Sequence, residues 1–145
     1  MRRIQGTDGV RRRTLQDDAS EVRGLNPLEA FLKVGAITPG FMELYGYSFV
    51  ADLKRISRLQ PGDRVVVGWA PRDPSGDFTR AFIRGIRKAG ATVLSVGIVP
   101  TPAVPAYVLH VGASAGAMIT ASHNLKDQNG VKLFWGNQGL KYLPA

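Results

Sequence analysis

Strands alternating with helices along 145 residues predict an α/β fold layered on a largely parallel sheet. Three observations carry this. Arg64-Val65-Val66-Val67-Gly68-Trp69 and Thr92-Val93-Leu94-Ser95-Val96 are short, β-branched runs of the kind buried in a parallel sheet. Two amphipathic stretches with start signals flank the first run. The composition, 44% hydrophobic and 21% charged, suits one packed domain with an ordinary core.

Taken in order, Gly6-Thr7-Asp8-Gly9-Val10-Arg11 reads as a turn between short extended pieces, and residues 14–37 carry no clear period. Thr38-Pro39 opens a helix, threonine as N-cap and proline in the first turn. Met42, Tyr45, Phe49, Leu53 and Ile56 then recur every three or four residues, giving one apolar stripe that reads as core. Gly40 and Gly46 weaken that helix by roughly 1 kcal/mol each. Gln60-Pro61-Gly62-Asp63 is a turn before the Arg64–Trp69 strand. Ser75 is the expected N-cap of a second helix with Asp77 in its first turn. Phe78, Phe82, Ile83 and Ile86 form its inner face, Arg80, Arg84, Arg87 and Lys88 its outer face, and Gly90 its stop. The Thr92–Val96 strand follows. Val99-Pro100-Thr101-Pro102 breaks the chain, and a shorter helix is expected over 103–109. Gly116 to Thr120 is a strand, Val131 to Trp135 another, and Gly136-Asn137-Gln138-Gly139 a turn.

The chemistry concentrates after the Gly116–Thr120 strand. Thr120-Ala121-Ser122-His123-Asn124, then Asn129-Gly130-Val131-Lys132, put a hydroxyl, an imidazole, an amide and an ammonium around one loop. Each residue alone is ordinary. Serines near turns bond the local backbone, Asn-Gly is a hairpin turn, and a single lysine is usually solvated. Together they suit phosphoryl chemistry. Ser122 at the end of a buried strand faces a crevice, and the imidazole of His123, a side chain that can take and give a proton near neutral pH, can relay its proton. Lys132 can meet phosphoryl charge, as can Arg11 if the N-terminal turn folds over the loop. No Gly-x4-Gly-Lys-Ser/Thr segment is present, and no Gly-x-Gly-x-x-Gly follows a strand, which disfavours a nucleotide cradle. Asp127 completes a nominal Ser-His-Asp set, but no Gly-x-Ser-x-Gly elbow surrounds Ser122.

A net charge of +8 suits a phosphorylated small substrate or nucleic acid. Nucleic acid is the weaker choice, because outside Arg11-Arg12-Arg13 the basic residues are dispersed and aromatics do not interleave with them. The chain has no cysteine, which excludes disulfides and thiolate catalysis and is compatible with a cytoplasmic location. No apolar run approaches the length of a membrane span, and none follows the N-terminal Met1-Arg2-Arg3 as a signal peptide would require.

With these residues in place, the chain resembles the α-D-phosphohexomutases, the phosphoglucomutase/phosphomannomutase superfamily. Four segments match in order: Gly6–Arg11 the opening signature, Arg72–Gly76 the segment before the second helix, Gly97–Pro102 the Gly-x-x-x-Thr-Pro turn, and Thr120–Asn124 with Asn129, Gly130 and Lys132 the phosphoserine loop. The resemblance implies that Ser122 is the phosphoserine, passing its phosphoryl group to a sugar monophosphate and recovering another from the bisphosphorylated sugar. It implies His123 and Lys132 as proton handlers, Arg11 and Lys132 as phosphoryl holders, Asn124 as the residue ordering the loop, and Mg²⁺ on a phosphoserine oxygen. The sequence departs from the family at Leu125, where proline is usual, at Arg12, where the opening signature ends in glycine, and over Ala70–Pro74, where an Asp-Thr-Arg-Pro order is usual. The resemblance implies that residues 1–145 are domain I of such a mutase, a three-layer α/β/α sandwich with a mixed, largely parallel sheet, ending before its last helix. The metal loop, sugar-recognition loop and distal phosphate clamp belong to later domains. A phosphorylated hexose is the expected partner; the alternative is a stand-alone anion-binding module without turnover.

Overall fold

The computed structural model describes residues 9–122 and 124–136. Six strands form one sheet: β1 (Val10–Thr14), β2 (Ala36–Ile37), β3 (Arg64–Trp69), β4 (Thr92–Ile98), β5 (Ala115–Ile119) and β6 (Gln128–Trp135), in the spatial order β2-β1-β6-β5-β3-β4. The pairs β1–β2, β3–β4 and β3–β5 run parallel, and β6 runs antiparallel to both β1 and β5. The mixed, largely parallel sheet expected from the sequence is present.

Helices cover both faces. On one, α2 (Pro39–Arg55) and α3 (Asp77–Lys88) contribute Phe41, Met42, Phe49, Leu53, Phe82 and Ile86 to a core shared with Val65, Val67, Ile119 and Val131. On the other, α4 (Ala103–Val111) packs Val104 and Val108 against Val66, Met118 and Phe134. The alternation along β3 and β6 divides their side chains between these two cores.

Thr38 caps α2 as predicted, its hydroxyl accepting from Phe41 N at 3.2 Å. Asp17 adds a cap that the sequence did not announce, both carboxylate oxygens lying 3.1 Å from Gly40 N. Gly46 and Gly85 let the two helices touch backbone to backbone. A Cβ on Gly46 would sit 2.4 Å from Phe82 O, and one on Gly85 2.0 Å from Glu43 O. The intrinsic helix cost of Gly46 is thus offset by close packing.

Several local expectations are corrected. The N-cap position of α3 is Gly76, with φ +75° and no side-chain cap of its own. Ser75 lies one residue earlier, its hydroxyl 3.3 Å from Asp77 N, and Asp73 supplies the shorter bond, 2.9 Å to Thr79 N. The strand after α3 runs on to Ile98 and α4 to Val111. Residues 14–37, without a period in the sequence, hold a capping box at Asn26 and Glu29, the single turn α1 (Pro27–Glu29), a π-helical turn (Ala30–Val34) and the two-residue β2. Asn129-Gly130 is not a hairpin turn. Both residues lie inside β6, opposite Arg12 and Arg11. A Cβ on Gly130 would stand 1.9 Å from Val10 O, so this glycine is there for close approach of strands. Residues 1–8 and 137–145 lie outside the described residues, and with them Gly6–Asp8 of the expected opening turn and residues 137–139 of the expected last one.

Candidate functional site

The parallel strands β3, β4 and β5 end together at Trp69, Ile98 and Ile119. The loops that follow them build one edge of the molecule. In an open α/β sheet this carboxyl edge is where ligands bind. A cleft of about 370 Å³ lies there, lined by Pro71, Ile98, Val99, Pro100, Thr101 and Thr120 among others.

The serine loop joins β5 to β6. Thr120 N donates to Gly130 O at 2.9 Å, closing the base of the loop. Thr120 is buried, and its hydroxyl accepts from Ser122 N at 3.0 Å. Ser122 has φ +53°, a left-handed backbone that costs a non-glycine residue about 1–2 kcal/mol. Its side chain sits in a half-buried position. Asn124 N returns to Ala121 O at 3.0 Å, and Asn124 Nδ2 donates to Gln128 Oε1 at 2.7 Å. The loop is thus tied internally at both ends.

Two arginines grip it from neighbouring elements. Arg11, on β1, donates from Nη1 to Asn124 Oδ1 at 3.3 Å. Arg72, in the turn after β3, donates from Nη1 to Leu125 O at 2.9 Å and Gln128 O at 3.3 Å, and from Nη2 to Asn124 O at 2.9 Å and to Ser122 O. Lys132 lies on β6 opposite Met118, two residues beyond Gly130. Val10 and Val131 pair directly and enter the α2–α3 core. Arg11 and Lys132, each one residue along, therefore share the opposite sheet face. Antiparallel pairing of β1 and β6 brings these two cations to the same strand pair.

Of the residues expected from the sequence, Ser122, Asn124, Arg11 and Lys132 are described and belong to this edge. His123 lies outside the described residues. Sequence reasoning missed Thr120 and Gln128 as loop partners. It also left Arg72 without a role, because bonds to backbone carbonyls leave no pattern of side chains to read. The three consecutive arginines separate. Arg11 serves the loop, Arg12 lies 5.2 Å from the centre of the Phe31 ring, and Arg13 pairs with Glu21 at 2.7 Å.

The donor set for Mg²⁺ is thin. Among the described residues no group of three or more His, Cys, Asp or Glu side chains is placed to hold a metal ion. Asp127 on the loop is exposed. These residues do not make a metal centre by themselves. Nor, among the described residues, is any helix long and apolar enough to cross a membrane.

Fold and site together define an α/β/α domain that presents a strained serine, gripped by arginines, at the carboxyl edge of its sheet. The chain matches the model for the phosphoglucomutase/phosphomannomutase α/β/α domain I over residues 2–145, and it belongs to that family. A phosphoglucomutase/phosphomannomutase of Thermococcus kodakarensis is 43% identical over 106 residues, covering 72% of this chain and 23% of the relative. A phosphoglucosamine mutase of Parafrankia sp. is 37% identical over 138 residues, covering 92% and 28%. A solved chain from Thermus thermophilus, described provisionally as a phosphomannomutase, superposes with a TM-score of 0.62 at 30% identity, covering 94% of this chain and 26% of that one. The chain thus spans about a quarter of the length of the curated relatives it matches.

Proposed function

We propose that this chain is the phosphoserine-bearing first domain of a mutase that interconverts the 1- and 6-phosphates of a hexose. The observation that carries the proposal is Ser122 itself. It stands in a left-handed conformation, in a loop whose backbone is held by Arg72 and whose Asn124 is held by Arg11, at the sheet edge where ligands bind.

In this reading the phosphoryl group on Ser122 Oγ passes to the free hydroxyl of a hexose monophosphate. The Oγ–P bond breaks as the sugar O–P bond forms, and the hydroxyl proton leaves to a base. The bisphosphorylated sugar then returns its other phosphoryl group to Ser122, and the isomeric monophosphate departs. Charge, more than covalent help, governs such transfers. Arg11 and Lys132, on one face of the β1–β6 pair, supply positive charge. Lys132 and His123 handle protons at the reacting oxygens, and Asn124 orders the loop. Resemblance adds Mg²⁺ as a counter-ion to the phosphoserine, with its remaining ligands outside this chain. Residues 1–145 act as one domain, and later domains supply sugar recognition.

The test is Ser122→Ala in the protein with all its domains. Loss of mutase turnover with retained folding is expected. An unchanged rate would remove Ser122 from the mechanism and favour a domain that binds sugar phosphates without turning them over.

A further inference from the structure

We infer that Arg72 is a positioning residue, one whose guanidinium holds the serine loop in the shape that presents Ser122. It donates to the backbone carbonyls of Ser122, Asn124, Leu125 and Gln128, and so spans the loop from its serine to the start of β6. The catalytic meaning of this clamp rests on the mutase reading; the clamp itself does not.

Three features turn these contacts into a device. The first is chemical. A loop leaving a sheet has carbonyls with no ladder partner, and each must find a donor. A guanidinium offers five N–H groups in a rigid planar fork, enough to meet several carbonyls at once; an ammonium is a compact point donor and cannot match that spread.

The second feature is strain. Ser122 is one of two non-glycine residues among those described with positive φ, at +53°. Its own carbonyl is one of the four held by Arg72. The unfavourable backbone and the charged donor that compensates for it therefore meet at the same peptide group. Without the donor the left-handed conformation has less to hold it, and that backbone sets the direction in which the Ser122 Cα–Cβ bond leaves the loop.

The third feature is the anchor. Arg72 sits in a turn tied down on both sides. Ala70 N donates to Ile119 O at 2.9 Å, fixing the start of the turn to the end of β5, and Arg72 N reaches Ala70 O at 2.7 Å. Gly76 N donates to Asp73 O at 3.0 Å, and the Asp73 carboxylate takes Thr79 N in the first turn of α3 at 2.9 Å. The fork thus projects from a base fixed to both β5 and α3. Leu125 is 71% exposed and, unlike a proline, leaves its own φ unfixed, so more of the loop's shape rests on Arg72.

The test uses the full-length protein and two readouts, amide hydrogen exchange over residues 121–130 and steady-state mutase kinetics, on Arg72→Ala and Arg72→Lys. In Arg72→Ala, exchange at Asn124 and Gln128 is expected to rise about tenfold or more, while the amides of β3 and α3 keep their wild-type rates. The kcat is expected to fall on the order of 10²-fold, the scale of a roughly 1 Å misplacement, with KM within about twofold. Arg72→Lys keeps the charge but not the fork, and is expected to recover little of either readout. If Arg72→Ala unfolds, as accelerated β3 exchange would reveal, the lysine variant alone decides. Unchanged loop exchange, full rescue by lysine, or fast exchange with normal kcat would each overturn the inference. Full activity of Ser122→Ala together with a loosened loop in Arg72→Ala would instead sink the mutase reading and leave the clamp standing.

Discussion

Gly130→Ala tests how the cationic face of the site is assembled. Gly130 faces Arg11 across the β1–β6 ladder. A Cβ there would stand 1.9 Å from Val10 O, 2.9 Å from Val10 C and 3.0 Å from Arg11 Cα. All three atoms are backbone, so no side chain can swing away. Reaching even 3.0 Å from Val10 O, a separation that real Cβ atoms essentially respect as a floor, requires about 1.1 Å of movement between the strands. Overpacking of this kind costs about 1–3 kcal/mol, and each ladder hydrogen bond stretched out of range adds about 0.5–1.5 kcal/mol. A loss near 3 kcal/mol follows, which for a domain of this size lowers Tm by roughly 6–12 °C. The same movement takes Arg11 away from Asn124, whose 3.3 Å contact is already long, so on the proposed mutase reading turnover of the full-length protein is expected to fall as well. Gly35→Ala is the control. Its φ of +73° strains alanine, but nothing lies within 4 Å of the added Cβ, so its cost is conformational alone, about 1–2 kcal/mol. Chemical denaturation of both variants separates the two effects. Equal destabilisation, or a loss below about 1 kcal/mol for Gly130→Ala, would refute the claim that strand approach, rather than turn formation, requires this glycine.

Other predictions concern the serine, α3 and the helix pair. Ser122→Gly is expected to be about 1 kcal/mol more stable than Ser122→Ala, since glycine adopts φ +53° without strain; denaturant midpoints giving the opposite order would contradict this. Asp73→Ala should cost about 1 kcal/mol and Ser75→Ala less, because Asp73 makes the shorter bond into the first turn of α3; equal losses on urea unfolding would restore Ser75 as the principal cap. Glu43 is held below the ordinary carboxylate value of 4.5 by its bond to Lys88, then by that to Arg84. Its stabilisation is therefore fully present above pH 4.5 and lost as pH falls through the lowered value. Glu43→Gln should be destabilised by about 1 kcal/mol or less at pH 7, the range for partly exposed pairs, and should match wild type in strong acid; a gap that persists there would point to packing instead.

The parts legible in the sequence are those whose cause is local. The valine run of β3, Thr38-Pro39 at the start of α2, and the apolar stripe of α3 each carry their own signal within a few residues. The stretch from 14 to 37 does not. Its two-residue β2 exists through pairing with β1, and its π-helical turn has no period of its own. Asn129-Gly130 carries a strong local turn signal that the pairing of β1 with β6 overrides. The site divides in the same way. The serine loop was readable because its chemical groups cluster in sequence. Arg72 acts across 50 to 56 residues of sequence on backbone carbonyls, and any loop offers such carbonyls. Thr120 read as the end of a strand, whereas its buried hydroxyl supports the backbone of Ser122.

The most direct measurement is phosphate localisation by top-down mass spectrometry on the protein isolated from its source cells, repeated after incubation with a hexose 1,6-bisphosphate. The account predicts one phosphoryl group, on Ser122, at higher occupancy after incubation and absent from Ser122→Ala. Phosphate on another residue, or none on Ser122 under either condition, would contradict it.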